Sequence, residues 1–128
     1  MGAKVTFETV RKLGLQLPYV EEGTGYGKPA LKVGGKMFAC LPSHKSAEPD
    51  SLVVRTDFEQ RAELLAGDPE VYYITDHYKD YPAVLVRMSR ITPHMLRDLL
   101  GMAYRFVLRE KTLSTKQKRP GRVRPRTR

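Results

Sequence analysis

The densest group of side chains that could perform chemistry lies in one short stretch, residues 76–81. Asp76, His77 and Asp80 supply carboxylate oxygens and an imidazole, the groups of a metal site or an acid–base pair. Their spacing matches no known ligand pattern such as His-Glu-x-x-His on one helix face. The stretch is therefore predicted to be a structural hairpin loop whose aromatic residues pack on its own strands. The sequence predicts no metal, no cofactor and no catalytic residue.

The other potentially reactive residues are isolated from one another. Cys40 ends a predicted strand and is expected to be a buried, small apolar residue. His44 lies in a polar segment and is expected to be solvated. The glycine-rich stretch 23–27 has the composition of a phosphate-binding loop, but such a loop needs a helix after it. Because Lys28-Pro29 and a strand follow instead, a plain turn is expected.

Basic residues outnumber acidic residues by 23 to 14, and the excess is concentrated in one segment. Residues 111–128 carry eight basic side chains and no acidic one, whereas residues 1–110 carry a net charge of only +1. The basic segment has few large apolar residues and cannot bury enough surface to offset its chain entropy. The sequence predicts a near-neutral domain, 1–110, followed by a basic and disordered tail, 111–128.

Length and composition predict one ordinary globular domain. The 128 residues are 41% hydrophobic and 29% charged, which excludes collagen-like, coiled-coil and wholly disordered chains. No apolar run approaches the ~20 residues of a membrane span. The N-terminal segment lacks the apolar core of a signal peptide, and a single cysteine fits a reducing compartment. We therefore expect a cytoplasmic monomer with no membrane partner.

The hydrophobic pattern predicts the elements that position these residues. Gly34-Gly35 between two apolar runs is typical of a two-residue hairpin turn with positive φ at both positions. Thr56 to Glu59 fits a capping box at the start of a short helix. Thr92 and Pro93 fit the start of a long helix. The predicted helices are 6–15, 57–66 and 93–110, and the predicted strands are 19–22, 30–33, 36–41, 51–55, 71–75 and 83–88.

No strand–helix–strand alternation recurs, so a doubly wound parallel sheet is not expected. The pattern predicts an α+β fold: a single antiparallel sheet with helices packed on one face. The short helix is expected to direct Phe58, Ala62 and Leu65 to the core. Tyr72 and Tyr73 are neighbours on one strand and must face opposite sides of the sheet.

Five stretches of the sequence form a recognisable set: Glu21–Ala30, Gly35–Ala39, Arg55–Arg61, Asp68–Tyr78 and Tyr81–Arg87. In type and spacing they resemble the MmcQ/YjbR family of small bacterial proteins, and the resemblance covers residues 4–110. It implies a fold like that of CyaY, the bacterial frataxin. Members of the family are commonly described as DNA-binding, through an arrangement called a double wing, and the resemblance implies no agreed catalytic residues.

The likeness to CyaY raises iron binding as a rival hypothesis. A frataxin binds iron through an acidic ridge on its first helix. Here that helix offers Glu8 alone, beside Arg11 and Lys12, which repel a cation. Iron binding is therefore disfavoured, and fold similarity alone does not transfer function.

The sequence thus favours a non-enzymatic DNA-binding protein whose affinity comes largely from the basic tail. The alternative is a protein-interaction or small-ligand-binding module that uses the sheet face and the 76–81 loop; an enzyme using that loop ranks third. The candidate nucleic-acid contacts are Lys28, Lys32, Lys36, Arg55, Arg87 and Arg90 in the domain, and Lys116, Lys118, Arg119, Arg122, Arg124 and Arg126 in the tail.

Overall fold

Three helices and six strands make up the fold in this computed structural model, which describes residues 5–118 and the side chains of residues 5–110. The strands form one antiparallel sheet in the order β1-β2-β3-β4-β6-β5. Within the described residues, no helix combines the length and apolarity that a membrane crossing requires. In chain order the elements are α1 (Phe7–Gly14), β1 (Val20–Gly25), β2 (Lys28–Val33), β3 (Lys36–Cys40), β4 (Ser51–Arg55), α2 (Phe58–Gly67), β5 (Tyr72–Tyr73), β6 (Ala83–Arg87) and α3 (Pro93–Lys118).

The helices cover one face of the sheet, as the sequence predicts. The apolar stripe of α3 lies against β2, β3 and β4, and α1 packs beside α3. Partly buried leucines of α2 join the same core. The α+β prediction, one antiparallel sheet with helices on one face, is therefore confirmed. The largest fully buried side chains on this face are those of Leu31, Phe38, Leu52, Leu96, Leu100, Val10, Val54, Val84, Val86 and Val107.

Two tight hairpins shape the first half of the sheet. Gly34 and Gly35 have φ angles of 60° and 79° and connect β2 to β3 as predicted. The connection from β1 to β2 is equally short, with φ angles of 54° at Tyr26 and 81° at Gly27. The predicted end of this first strand at residue 22 is wrong, because β1 continues through the glycine-rich stretch to Gly25.

The second face of the sheet carries a smaller apolar cluster. Ala30, Cys40, Val53 and Leu85 alternate with the helix-facing residues of their strands, and Tyr78 from the loop after β5 covers them. β5 itself is shorter than the predicted 71–75. The segments 41–50 and 74–82 thus cover this face of the sheet, as the helices cover the other face.

Tyr72 and Tyr73 face opposite sides of the sheet, as predicted. Tyr72 is buried in the helix-side core, whereas Tyr73 lies half-buried on the second face. The Tyr73 hydroxyl accepts a hydrogen bond from the Glu48 backbone N–H at 2.8 Å and contacts the Ser51 hydroxyl. This residue therefore ties the segment after β3 to the sheet.

The start of α2 differs from the predicted capping box. Asp57, not Thr56, is the N-cap, and its carboxylate accepts a hydrogen bond from the Gln60 N–H at 2.7 Å. Thr56 is fully buried because its backbone N–H still pairs with the Pro82 carbonyl beside the sheet. The predicted apolar face is also wrong in part, since Phe58 is 49% exposed.

Helix α3 begins as predicted and ends later. The Thr92 hydroxyl accepts a hydrogen bond from the Met95 N–H at 3.1 Å, and Pro93 opens the helix. The helix continues to Lys118, eight residues beyond the predicted end at 110. No glycine or proline occurs between residues 111 and 118, and the first helix breaker is Pro120. Lys116 and Lys118 therefore lie on helical backbone, while residues 119–128 lie outside the described residues.

The cap at Asp57 gives the first testable prediction. Asp57→Ala should lower the free energy of unfolding by about 1 kcal/mol, because the Gln60 N–H loses its acceptor. Asp57→Asn keeps an acceptor oxygen and should stay close to the wild type. Urea unfolding of the two variants checks this, and equal stability of Asp57→Ala and Asp57→Asn would refute the assignment of the cap.

Candidate functional site

The three lysines among the candidate contacts of the domain lie along β2 and at the start of β3. Lys28 and Lys36 are exposed first residues of their strands, at opposite ends of the hairpin. The Lys32 stem occupies the space beside Gly23 on the neighbouring strand. Among the described residues, none of the three forms an ion pair with a carboxylate. Their charges are therefore available to a polyanion.

Arg55, by contrast, donates its hydrogen bonds to partners within the protein. Its guanidinium donates to Glu110 at 2.7 Å and to the Pro82 carbonyl at 3.1 Å. It lies against the rings of Tyr81 and Phe106, and its side chain is only 11% exposed. The contact joins the end of β4 to α3, so Arg55 has a structural function whether or not it also meets a nucleic acid.

Arg87 is also held by internal partners. It donates to both carboxylate oxygens of Glu48, at 2.8 and 2.9 Å, and to the carbonyls of Pro69 and Glu70, both at 3.1 Å. Its guanidinium lies 4.3 Å from the centre of the Tyr73 ring. Hydrogen bonding from Arg87 lowers the pKa of Glu48. A role for Arg87 in nucleic-acid binding stays a prediction.

The structure describes only some of the remaining basic candidates. Arg90 is 61% exposed and lies 3.7 Å from a Glu70 oxygen, a loose surface pair. Lys116 and Lys118 lie at the end of α3. The other tail candidates lie outside the described residues: Arg119, Arg122, Arg124 and Arg126.

A concave site lies on the second face of the sheet, beside the 76–81 loop that the alternative hypothesis names as a binding surface. The sequence did not predict that Tyr26 and residues 41–44 would line it. We call it the aromatic cleft, and its volume is about 470 Å³. Its floor is apolar and its walls are mostly aromatic rings from the turn after β1 and from the segments 41–44 and 77–81. The lining residues are Tyr26, Met37, Cys40, Leu41, Pro42, Ser43, His44, Val53, His77, Tyr78 and Tyr81.

Two stacked imidazoles form one wall of the cleft. The rings of His44 and His77 are nearly parallel, at 8°, with centroids 3.6 Å apart. The Ser46 N–H donates to His44 Nδ1 at 3.0 Å, and the Ser46 hydroxyl lies 2.9 Å from the Thr75 hydroxyl. Burial, followed by the charges of His77 and Lys45, lowers the pKa of His44. The expectation of a solvated His44 is therefore wrong, because the ring is half-buried, stacked on His77 and hydrogen-bonded to Ser46.

The 76–81 loop is ordered by a residue from α2. Arg61 donates to the carbonyls of Lys79, Tyr81 and Ala83 at 2.8, 3.0 and 3.2 Å. This arrangement directs Tyr78 inward, where its ring meets His77 edge-on at 4.8 Å. The aromatics of the loop thus pack as the sequence predicted, although on the whole second face and not only on their own strands.

The floor of the cleft includes the one thiol of the chain. Cys40 is buried, and burial raises its pKa to about 11. It is therefore a neutral, apolar residue at physiological pH, as expected for a strand residue facing a core. Within the part of the chain that the structure describes, no three His, Cys, Asp or Glu side chains cluster closely enough to hold a metal ion.

Comparison with known proteins places this architecture in a family. The family model described as YjbR matches residues 15–106, a span that includes all six strands and the whole lining of the cleft. The chain belongs to the YjbR family. The resemblance drawn from the five sequence stretches is therefore confirmed for the family, while the basic tail lies outside the matched region.

Comparison with individual relatives of this YjbR protein supports its fold and assigns no activity. A Deinococcus radiodurans structure, protein DR2400 with its DUF419 domain, superposes with a TM-score of 0.65 and 22% identity, covering 81% of this chain and 79% of that one. Uncharacterized proteins of Mycobacterium tuberculosis (Rv2570) and Mycobacterium bovis (Mb2600) are 44% identical over 41 residues. That match spans about a third of each chain, 32% of this one and 32% of each relative.

The internal bonding of Arg55 predicts a stability effect. Arg55→Gln should lower the free energy of unfolding by about 2 kcal/mol, because Glu110 loses a charged hydrogen-bond partner. Arg90→Gln removes the same charge from an exposed site and should change stability by no more than about 0.5 kcal/mol. Denaturant unfolding measures both, and a neutral Arg55→Gln would show that the ion pair contributes little.

The environment of Cys40 predicts slow thiol chemistry. A rise in pKa from 9.0 to about 11 leaves about 100-fold less thiolate at pH 8. The native protein should therefore react with a disulfide reagent at least that much more slowly than the urea-unfolded chain. Rates measured by absorbance across pH 8 to 10 check this, and similar rates in both states would contradict the burial of the thiol.

Proposed function

We propose that this YjbR protein is a non-enzymatic DNA-binding protein, acting as a monomer in the bacterial cytoplasm, whose affinity comes largely from the basic tail. One observation carries the proposal: Lys28, Lys32 and Lys36 have no carboxylate partner among the described residues, whereas Arg55 and Arg87 are committed to internal ones. The domain thus keeps a set of free cations on one hairpin. Phosphate contacts of this kind position a protein on DNA without reading its sequence.

The charge distribution supports a dominant contribution from the tail. Residues 1–110 have a net charge of +1, so their long-range attraction for a polyanion is weak. Residues 111–128 add eight positive charges, and the first three of them, Lys111, Lys116 and Lys118, lie on helical backbone. Each phosphate that a cation neutralises releases condensed counterions, which makes the affinity fall as salt rises.

A second candidate function, a small-ligand or protein-interaction module, is favoured by the aromatic cleft alone. Pockets of roughly 300–1,000 Å³ with apolar walls and a few polar groups are typical small-molecule sites. Such a module would bind its ligand independently of the tail and with little sensitivity to salt. These two properties separate it from the electrostatic function.

Salt dependence tests the proposal. Binding of the full chain to duplex DNA, followed by fluorescence anisotropy, should show a slope of log affinity against log salt of about −3 to −5, at roughly −0.9 per phosphate contact. Changing the tail residues to Gln at Arg119, Arg122, Arg124 and Arg126 should remove most of the affinity and flatten the slope. Changing Lys28, Lys32 and Lys36 to Gln should have a smaller effect in the same direction.

A matched control separates a surface effect from a general change in charge. Lys12, Arg97 and Arg105 are exposed residues of α1 and α3, on the helix side of the sheet. Their joint change to Gln removes the same three charges and should weaken binding less than the hairpin set does. Equal effects of both sets would refute a hairpin surface, and no binding by the full chain at low salt would refute the proposed function.

A further inference from the structure

Several residues that line the aromatic cleft are held in place by contacts with residues outside it. The Ser46 contacts fix the His44 ring, and Arg61 fixes the carbonyls of the 76–81 loop. Tyr81 is held from behind by the Arg55 guanidinium, 5.1 Å from its ring centre. The walls formed by His44, by the 76–81 loop and by Tyr81 are therefore held by residues that do not line the cleft.

Gly25, the last residue of β1, leaves room for the Met37 side chain at the floor of the cleft. A Cβ atom at Gly25 would lie 2.7 Å from the Met37 sulfur and 3.9 Å from the Cys40 Cβ. A side chain here would therefore displace the end of the Met37 side chain, which lines the cleft. The glycine-rich end of β1, which resembles a loop in the sequence, thus leaves space above the sheet.

The residue types that line the cleft determine which class of ligand it can bind. None of the lining residues is Asp, Glu, Lys or Arg. Burial lowers the pKa of His44 and raises that of the Cys40 thiol to about 11, and both shifts favour the uncharged form. A charged group buried here would be desolvated without a partner, which is costly. An aliphatic ligand would fill the apolar floor but would not stack on the aromatic rings of the walls. A neutral planar ring satisfies both the apolar floor and the aromatic walls.

We propose that the aromatic cleft binds an unpaired nucleobase, from a free nucleoside or nucleotide or from a single strand. Bases stack on aromatic side chains whatever their sequence, and Tyr26 stands at the rim with 85% of its surface exposed. Lys28 follows two residues later and lines a neighbouring groove that shares Leu41, Pro42 and His44 with the cleft. The same groove is lined by Asp50 and by Glu48, whose carboxylate is paired with Arg87. A phosphate attached to a bound base would therefore find a free cation nearby.

The single-strand form of this inference rests on the proposed DNA binding, whereas the free-nucleoside form does not. In duplex DNA the bases are already paired and stacked, so their faces are not available to the cleft. The inference therefore requires that the protein prefer a single strand to the duplex of the same sequence, beyond what the charges of the backbone explain.

Two exposed tyrosines provide a matched pair of variants for the test. Tyr26 and Tyr19 flank β1, are 85% and 89% exposed, and have positive φ angles of 54° and 64°. Asn accepts this backbone conformation, so Tyr26→Asn and Tyr19→Asn each remove a ring without straining the turn. Only Tyr26 lines the aromatic cleft.

Titration calorimetry and fluorescence anisotropy should be run on the full chain with adenosine, adenosine monophosphate, inorganic phosphate, a short oligodeoxythymidylate and its duplex. We expect Tyr26→Asn to weaken binding of adenosine and of the single strand by about tenfold, as for one lost base–aromatic stack. Tyr19→Asn should leave both unchanged, and neither variant should alter duplex binding. Saturating adenosine should also slow alkylation of Cys40, which lies on the floor of the cleft.

The outcomes distinguish this inference from the proposed function. DNA binding that is indifferent to strandedness and to Tyr26→Asn, without adenosine binding, overturns the cleft site and leaves the proposed function standing. Adenosine binding that Tyr26→Asn weakens, in a protein that binds no DNA, supports the cleft and overturns the proposed function. Equal losses in the two tyrosine variants, or phosphate binding as tight as that of the nucleotide, overturn the cleft site.

Discussion

Arg61 is the side chain on which the second face of the sheet depends. Its guanidinium donates to the backbone carbonyls of Lys79 and Tyr81, in the irregular connection from β5 to β6, and to that of Ala83, the first residue of β6. With these carbonyls satisfied, the loop can lie across the sheet and bury Tyr78. Burial costs Arg61 part of its hydration and lowers its pKa. That cost is offset by the several hydrogen bonds that one rigid guanidinium can make.

The sequence predicted those elements whose local chemistry agrees with their place in the fold. Gly34-Gly35 specifies its hairpin because both positions need positive φ, and Thr92 with Pro93 specifies the start of α3. Errors arose where tertiary pairing overrode local preference. Glycines at the end of β1 pair with β2, although glycine favours loops. Thr56 is drawn into the sheet by a backbone hydrogen bond, which leaves the cap to Asp57.

The cleft could not be predicted from sequence because its walls come from distant positions. Tyr26, the segment 41–44, Val53 and the segment 77–81 meet only after β3, β4 and β6 pair and the loop folds back over them. The sequence did show Cys40 at the end of a strand and a concentration of aromatics in residues 76–81. It did not show that His44 would stack on the loop, because a polar neighbourhood resembles a solvated one until its partners are known.

Three arginines of the domain form internal contacts, whereas two of its lysines remain exposed, and this difference has a physical reason. Arg55, Arg61 and Arg87 each present several donors in a planar fork that reaches carbonyls, a carboxylate or a ring at once. Lys28 and Lys36 carry compact, strongly hydrated charges that gain little from burial, so they remain exposed at strand ends. Lys28 lies in the groove that adjoins the neutral aromatic cleft. The domain thus sets an exposed lysine beside an aromatic site that no Asp, Glu, Lys or Arg lines, an arrangement that matches the two chemically distinct parts of a nucleotide.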